Sequence, residues 1–522
     1  MKYIGFPVLL VILMMICGCT QQQSASDVET TFLADFEQQY EKLEPACVLE
    51  QWKRVSGDKS AEPYLYTEAY NKFLADVNIF EKARMARQTL PEGLELRKLD
   101  IVYRTLLANQ IDHQPEIAAL IDSLSRIFLR YGDRTQVQST FRYSALRSNR
   151  ERAYGEYDRI GKELSNGVAR LIRLRNLAAS RMGYKSYYSM QMSAQGMDPI
   201  FLDSLCLNLE TATRDVYERT LNVIKGKLGV DSLKLWDLWT GAPTMPGNID
   251  SLLRRDNQER LLRATMRDIG FDLDNMPVYF FFNYFPEAQH AVEVHIIHYP
   301  DDIRIMADLT DGFASLEQLL RSGGKAVYAA SIDQEDYLLR RSPATCWTEA
   351  MADFYSLLIR DDVWLATYLQ MTPIQVEKWR EYFKQQAVIS MRMLLLRTMF
   401  ERELYRDVNR SPEQVYGELM ERVMLMPANK YVHVWAADAE HFFHPLNAHN
   451  HLLGELIAAQ VYHHIRQDNE TIAANPAVKH YLVQNYYRFG RRHDWPHILE
   501  WATGERLNPE YWLLRVNELI TP

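Results

Sequence analysis

Two stretches of the sequence carry residue types whose spacing could support chemistry. In the first, Arg321 and Lys325 are four residues apart, and Glu349 and Asp353 follow at the same spacing. Side chains at positions i and i+4 lie on one face of a helix, so each pair points in one direction. The second stretch, residues 433–464, holds seven of the chain's 14 histidines. The first pattern places two cations together on one helix face and two carboxylates together on another, and the second raises the question of metal binding.

The histidine-rich stretch admits two interpretations. A metal site would draw on His441, His444, His449 and His451 together with Glu440 or Asp438. Alternatively, the imidazoles pack and hydrogen-bond along the wall of a cleft, which the adjacent pair His463 and His464 favours. No three of the candidate ligands share one helix face, whereas a zinc site needs about three protein ligands. We therefore predict no metal in this stretch.

Several blocks between residues 302 and 460 resemble a known family. These blocks are residues 302–305, 319–328, 337–340, 347–353 and 450–460. In this order they are similar to the active-site region of zinc-dependent oligopeptidases of the angiotensin-converting-enzyme and thimet-oligopeptidase type, which are gluzincins. The resemblance implies an all-α, zincin-like fold, a two-lobed helical ellipsoid with a deep central channel in which short peptides are cleaved.

The resemblance also assigns roles to individual positions. In the family, zinc is held by a His-Glu-x-x-His motif on one helix and by a glutamate on the next, and the glutamate of the motif is the general base. Glu349 matches the third zinc ligand and Asp353 the acid beside it. The motif positions, however, are occupied by Arg321, Ser322 and Lys325. The chain is thus identified as a degenerate member that lacks the motif.

The substituted residues cannot perform the zinc chemistry of the family. An arginine has no lone pair to offer a metal, and a lysine must first lose its proton. A tyrosine that stabilises the reaction intermediate in the family is also missing, because no tyrosine lies between Val432 and Val461. We therefore expect no zinc, no other cofactor and no intact catalytic residue.

The same substitutions suggest a replacement for the metal charge. We hypothesise that Arg321 and Lys325 form a salt-bridge cluster with Glu349 and Asp353, since unpaired buried charge is costly. In the alternative, these side chains extend into a solvated channel and contribute little. The helix that carries them contains Gly323 and Gly324, which predict a local irregularity because glycine disfavours helix interiors.

Three functions are compatible with these residues. The first is a catalytically inactive peptidase homologue whose channel, with His441, His444, His449 and His451 as candidate lining residues, binds a peptide or a protein partner. The second is an active or altered metallopeptidase that uses residues 433–464. The third is a purely structural or interaction lipoprotein whose channel has closed.

Helical signals dominate the elements that must position these residues. Capping residues before a proline open helices at Thr372 (to about Arg406), Ser411 and Ser342, and Ser315 with Gln318 predicts a capping box for a helix near Leu316. Residues 31–45, 65–90, 98–131, 150–183 and 200–228 also have helical patterns. Residues 278–305 are rich in β-formers with a turn at Pro300, which predicts a small β element. This element is either a plain hairpin or an edge that receives extended peptides.

Composition limits the class of protein. The chain has 522 residues, only 22 glycines and 20 prolines, and a formal net charge of -9. Low glycine and proline content argues against a disordered or turn-rich β protein. An acidic balance gives no basic surface for nucleic acid, so we predict no nucleic-acid partner. No linker composition interrupts residues 31–522, which we predict to form one oligopeptidase-like domain.

The first thirty residues predict an export signal. A short apolar core after Lys2 ends at Cys17-Gly18-Cys19, which resembles a bacterial lipoprotein cleavage box. We expect residues 1–18 to be a signal peptide, Cys19 to be lipidated and residues 19–30 to be a polar tether. The body would then hang from a membrane at the bacterial cell envelope, outside the cytoplasm. Cys47, Cys206 and Cys346 remain and favour buried free thiols over a disulfide.

Overall fold

Helices make up nearly all of the regular structure. The computed structural model describes residues 7–58, 60, 64–131, 140, 142, 144–239, 247–282, 292–427 and 429–517. The helices of the first half are α1 (Pro7–Val55), α2 (Leu65–Leu74), α3 (Val77–Ala86), α4 (Leu94–Ala108), α5 (Pro115–Leu129), α6 (Arg147–Arg181), α7 (Tyr187–Gln195), α8 (Pro199–Ala212), α9 (Arg214–Leu228), α10 (Gly247–Leu252) and α11 (Arg255–Asp268). The helices of the second half are α12 (Phe313–Ala329), α13 (Thr345–Leu358), α14 (Asp362–Leu369), α15 (Pro373–Arg406), α16 (Pro412–Val423), α17 (Glu440–Phe443), α18 (Ala448–Asp468), α19 (Ala477–Leu482), α20 (Trp495–Thr503) and α21 (Glu510–Asn517).

A three-stranded sheet interrupts the helices where the sequence predicts a β element. Its strands are β1 (Val278–Phe282), β2 (Val292–His298) and β3 (Asp302–Ala307), in the order β1-β3-β2. β3 pairs in parallel with β1 and antiparallel with β2, with Val294 opposite Ile305. β3 is therefore central, and β2 lies at the edge of the sheet next to α12.

Three helices, α12, α13 and α18, form the centre of the molecule. They pack closely because glycines stand where they touch. A Cβ at Gly324 of α12 would come 2.3 Å from the Tyr355 ring of α13, and one at Gly454 of α18 would come 2.8 Å from the Cβ of Glu349. Contacts this short exclude any side chain larger than hydrogen. The glycines thus bring the helix carrying Arg321 and the helix carrying Glu349 within reach of each other.

The helix starts test the predicted capping signals. Thr372 and Ser411 cap α15 and α16 through their hydroxyls, as predicted. The prediction at Ser342 is wrong by two residues, because the Ser342 hydroxyl donates to the Ala344 carbonyl and α13 begins at Thr345. The capping box at Ser315 is also wrong, since α12 begins at Phe313 and the Ser315 hydroxyl accepts the Thr310 N–H.

The predicted irregularity at Gly323 and Gly324 is absent, because α12 is continuous from Phe313 to Ala329. Both glycines are buried against neighbouring helices. These glycines allow α12 to pack closely against its neighbours. Tertiary contacts stabilise the helix and compensate for the low helix propensity of glycine.

The amino-terminal helix α1 spans the segment 19–30 that the sequence predicts as a tether. The start of the predicted signal peptide, residues 1–6, lies outside the described residues, and the cleavage and lipidation at Cys19 stay predictions. Among the described residues, no helix combines the length and the apolar character that a membrane crossing requires. Cys47, Cys206 and Cys346 are buried free thiols, as predicted.

Candidate functional site

Four charged side chains from α12 and α13 meet at one point. Nη2 of Arg321 lies 2.9 Å from Oε2 of Glu349, and its Nη1 contacts the Asp353 carboxylate. Nζ of Lys325 lies 2.7 Å from Oε1 of Glu349. The predicted ion pairs are therefore present, and the alternative in which the cations extend into solvent is wrong. We call these four residues the ion cluster.

Burial differs between the two signs of charge. The side chains of Glu349 and Asp353 are 8% and 9% exposed. The side chains of Arg321 and Lys325 are 25% and 28% exposed, because they border open space in the interior. The buried carboxylates therefore rely on the cations for electrostatic stabilisation. The cations are more exposed, so water can stabilise them as well.

A histidine completes the surroundings of Glu349. Nδ1 of His451, at the start of α18, lies 3.3 Å from Oε2 of Glu349. Burial alone would raise the pKa of Glu349, but the His451 hydrogen bond and the charges of Lys325 and Arg321 outweigh burial and lower it well below the usual range. Glu349 is consequently ionised across the physiological pH range.

Three cavities open onto the ion cluster. One, of about 730 Å³, is lined by Ser322, Lys325, Glu349 and His451 and by residues 292–295 of β2. A second, of about 710 Å³, borders Arg321 and Asp353 and is rich in aromatic side chains. A third, of about 460 Å³, reaches Glu349 from the side of α4. The lining of each cavity thus includes at least one residue of the ion cluster.

The four candidate channel histidines lie in different surroundings. His441 is buried against the rings of Phe400 and Trp435, and His449 is buried with its pKa lowered by burial and by His451 to about 4. His444 is largely exposed beside Glu440. His451 alone among these four reaches the ion cluster. In the described part of the chain, no three histidine, cysteine, aspartate or glutamate side chains gather so that they could hold a metal.

Sequence reasoning missed the contact of His451 with Glu349 and the packing of Gly454 over both carboxylates. The signal was present, because His451 and Gly454 lie in the block 450–460 that carries the resemblance. What the sequence does not give is the rotation of α18, which decides whether His449 or His451 turns toward the acids.

The helical fold with its small sheet is shared with solved structures of zincin-like carboxypeptidases. Similar solved structures are a metallocarboxypeptidase 1 of Trypanosoma cruzi and an M32 carboxypeptidase of Deinococcus radiodurans, which share 17% and 14% sequence identity with this chain. A Pyrococcus furiosus carboxypeptidase shares 16%. Each has a TM-score of 0.67 and is matched over 94% of this chain and 98–100% of its own length.

The fold class predicted from the sequence is confirmed by these neighbours. They are metallocarboxypeptidases, and the finer resemblance to the angiotensin-converting-enzyme and thimet-oligopeptidase type stays a prediction. No protein-family model matches the chain, and no curated protein matches its sequence.

The metal implied by such neighbours does not fit this site. Both oxygens of Glu349 are occupied by nitrogen atoms of cations, at 2.7 and 2.9 Å. A guanidinium cannot act as a ligand, and an ammonium beside a carboxylate keeps its proton. A divalent ion placed here would meet two positive charges at ligand distance, so the donor set opposes it.

Proposed function

We propose that this chain is a peptidase homologue that binds peptides in its interior channel without hydrolysing them. The observation that carries the proposal is the direct contact of Arg321 and Lys325 with Glu349 and Asp353. In a zinc peptidase these carboxylates would support the metal and its water. Here they serve as counter-ions, so these two carboxylates are not free to support a metal-bound water that would attack a peptide bond.

The edge strand β2 supports peptide binding. Residues 292–295 line the cavity that also contains Lys325 and His451. Within the described residues, β2 pairs with β3 on one side only. An extended peptide can add to such an edge through main-chain hydrogen bonds, and a neighbouring cavity then receives its side chains.

The amino-terminal pattern extends the proposal to the location of the protein. The apolar core followed by Cys17-Gly18-Cys19 supports a lipid anchor at Cys19 and a place at the bacterial cell envelope, outside the cytoplasm. Such a protein would meet peptides that enter or leave the cell. Mass spectrometry of the membrane fraction tests the anchor, because a lipidated Cys19 gives a mature chain of residues 19–522 with added acyl mass.

The experiment that tests the proposal compares the protein with a variant that restores the motif. The purified protein is expected to bind a fluorescent peptide library and to release no new amino termini, and elemental analysis is expected to show less than about 0.1 zinc per chain, an order-of-magnitude bound set by the missing ligands. Stoichiometric zinc together with chelator-sensitive cleavage by the unmodified protein would refute the proposal and favour the metallopeptidase alternative. Absence of peptide binding would favour the structural lipoprotein.

The restoring variant combines Arg321→His, Ser322→Glu and Lys325→His. It is expected to bind zinc, because it returns two imidazoles at i and i+4 opposite Glu349. Arg492→His, at an exposed position outside the ion cluster, is the matched control and should gain none.

A further inference from the structure

The cavity beside α4 is unusually basic. Its volume is about 460 Å³, and four arginines line it: Arg97, Arg104, Arg341 and Arg491. Glu349 is the one acidic side chain among the described residues of its lining, and it already pairs with Arg321 and Lys325 and contacts His451. Threonine hydroxyls and asparagine and glutamine amides complete the wall and add hydrogen-bond donors.

Arg97 and Arg104 each have a carboxylate partner and no donor that the structure leaves buried and unpaired. Nη1 of Arg97 lies 2.7 Å from Asp494, and Nε of Arg104 lies 2.6 Å from Asp100. These two arginines line the cavity, but each already pairs with an aspartate.

The other two arginines have donors left over. Arg341 is 7% exposed and pairs with the Glu44 carboxylate through its Nε, at 2.9 Å, and its Nη2. The Nη2 also donates to the Tyr337 hydroxyl at 2.9 Å, whereas the Nη1 is buried without a partner. Nε of Arg491 donates to the Ser342 carbonyl at 3.2 Å, and its Nη1 is likewise buried without a partner. No carboxylate of the described chain lies within ion-pair distance of Arg491. A buried, unpaired donor on a cation is costly unless a ligand completes it.

Neighbouring groups report the excess of positive charge. Burial and the charge of Arg491 lower the pKa of Arg341 to about 10. Burial would raise the pKa of Tyr40, but Arg341 and Arg491 outweigh burial and lower it. Both shifts mean that a negative charge in the cavity would be stabilised.

The backbone holds Arg491 in place. Gly490 has φ +50°, and a Cβ there would come 2.1 Å from the Leu339 carbonyl oxygen. This close approach presses the turn Gly490–Arg492 against the segment that carries Arg341. The two guanidinium groups therefore belong to a built site and not to mobile surface side chains.

We infer that this cavity binds an oxyanion, a carboxylate or a phosphate group, between Arg341 and Arg491. The planar guanidinium forks match the paired oxygens of either group, and Arg491, which no carboxylate of the described chain balances, supplies the charge for it. A free phosphate or the carboxylate of a channel peptide could provide the anion, and only the second source rests on the proposed function.

The test measures binding of inorganic phosphate to the full protein by calorimetry at constant ionic strength, with chloride as the compensating anion. Saturable binding is expected for the protein and for Arg492→Gln, a control at the exposed neighbouring position. Arg491→Gln should bind at least about tenfold more weakly, because a charge-assisted pair is lost. Arg491→Lys, which keeps the charge and loses the fork, should fall between them and serves if the glutamine variant does not fold.

Two peptide probes separate the sources. N-acetyl-trialanine with a free carboxylate is expected to compete with phosphate if a peptide supplies the anion, whereas its amide should not. Competition by the acid, or binding of phosphate alone, supports the inference and names the source. Equal phosphate binding by the protein and Arg491→Gln, or no saturable binding of either probe to the protein, would overturn it. Peptide binding elsewhere in the channel, seen with the amide, is independent of this outcome.

Discussion

At the scale of single residues, the ion cluster pairs buried carboxylates with cations from a neighbouring helix. Two cations, each with one positive charge, face two carboxylates across the α12–α13 contact. Loss of a cation and loss of a carboxylate should change the free energy of unfolding by different amounts, because the carboxylates are more deeply buried than the cations. An acid that loses its partner stays in a medium from which water is largely excluded, while a cation at the channel wall can still be hydrated.

We therefore predict that Arg321→Met destabilises the protein more than Glu349→Gln. Arg321→Met should lower the free energy of unfolding by about 3–5 kcal/mol, since it deprives two buried carboxylates of their shared partner. Glu349→Gln should cost about 1–3 kcal/mol, because Asp353 still pairs with Arg321. Denaturant titration measures both.

The control for this comparison is Arg170→Met, which removes a surface pair with Glu116 whose side chains are more than 60% exposed. Its free energy of unfolding should change by less than about 0.5 kcal/mol. If Glu349→Gln lowered the free energy of unfolding more than Arg321→Met, our explanation from the deeper burial of the carboxylates would be contradicted.

The sequence predicted these residue contacts better than it predicted their surroundings. The i, i+4 spacing of both charged pairs and the resemblance together placed Arg321 near Glu349. The contribution of His451 and the unpaired donor of Arg341 could not be predicted, because each depends on how a distant segment rotates against the site.

At the scale of elements, glycines set the distance between α12, α13 and α18. Sequence reasoning treats Gly323 and Gly324 only as a cost to helix formation. The packing shows that glycine at this position stabilises the fold more than its low helix propensity destabilises it. A Cβ at Gly324 would also lie 3.0 Å from the Met351 carbonyl oxygen, a backbone atom that cannot move aside.

Gly324→Ala should consequently destabilise the protein by about 1–3 kcal/mol despite the better helix propensity of alanine. Gly226→Ala, on α9 with nothing within 4 Å of the added Cβ, should stabilise it by up to about 1 kcal/mol. Thermal unfolding of the two variants beside the parent protein gives the comparison. Similar shifts of the same sign for both would argue against close packing at Gly324.

A second element contact gives a dependence on pH. Glu401 of α15 is buried and its Oε2 accepts the N–H of Ala448, the first residue of α18, at 3.2 Å. Burial raises its pKa to about 8, although Arg397 opposes the shift; Asp438 and Glu440 reinforce it. The folded state thus retains a proton that the unfolded chain loses near pH ~4.3, and stability falls as pH rises from there toward 8.

Glu401→Gln removes this dependence, because the amide keeps an acceptor for Ala448 and carries no titrating proton. The variant should match the parent protein near pH 4.5 and exceed its free energy of unfolding by roughly 1–3 kcal/mol at pH 8.5. Urea titrations at the two pH values measure the difference. If the difference in unfolding free energy between the variant and the parent protein became smaller as pH rises, the raised pKa of Glu401 would be contradicted.

At the scale of the whole molecule, one core joins both ends of the chain. A single cluster of buried apolar side chains extends from Leu33 to Val516. Polar contacts also join residues that are far apart in the sequence, such as Tyr337 with Glu44 at 3.0 Å and Arg97 with Asp494 at 2.7 Å. The helical class could be predicted from composition and periodicity, but these long-range contacts could not, because they follow from the order in which helices pack.

We predict that residues 31–522 unfold in one cooperative transition. Calorimetric and van't Hoff enthalpies should agree, and tryptophan fluorescence and far-UV circular dichroism should give the same midpoint. Two separated transitions would show instead that the chain contains independent folding units. The variant Arg492→Gln, which leaves the core untouched, controls for effects of substitution itself.

The positive charge that faces Glu349 and Asp353 is attached to the polypeptide. A divalent ion must be acquired after synthesis and is scarce or abundant with the surroundings, whereas an arginine and a lysine arrive with the chain from the ribosome. On the proposed function, the centre of this molecule is therefore complete as soon as the chain folds, with no metal to load.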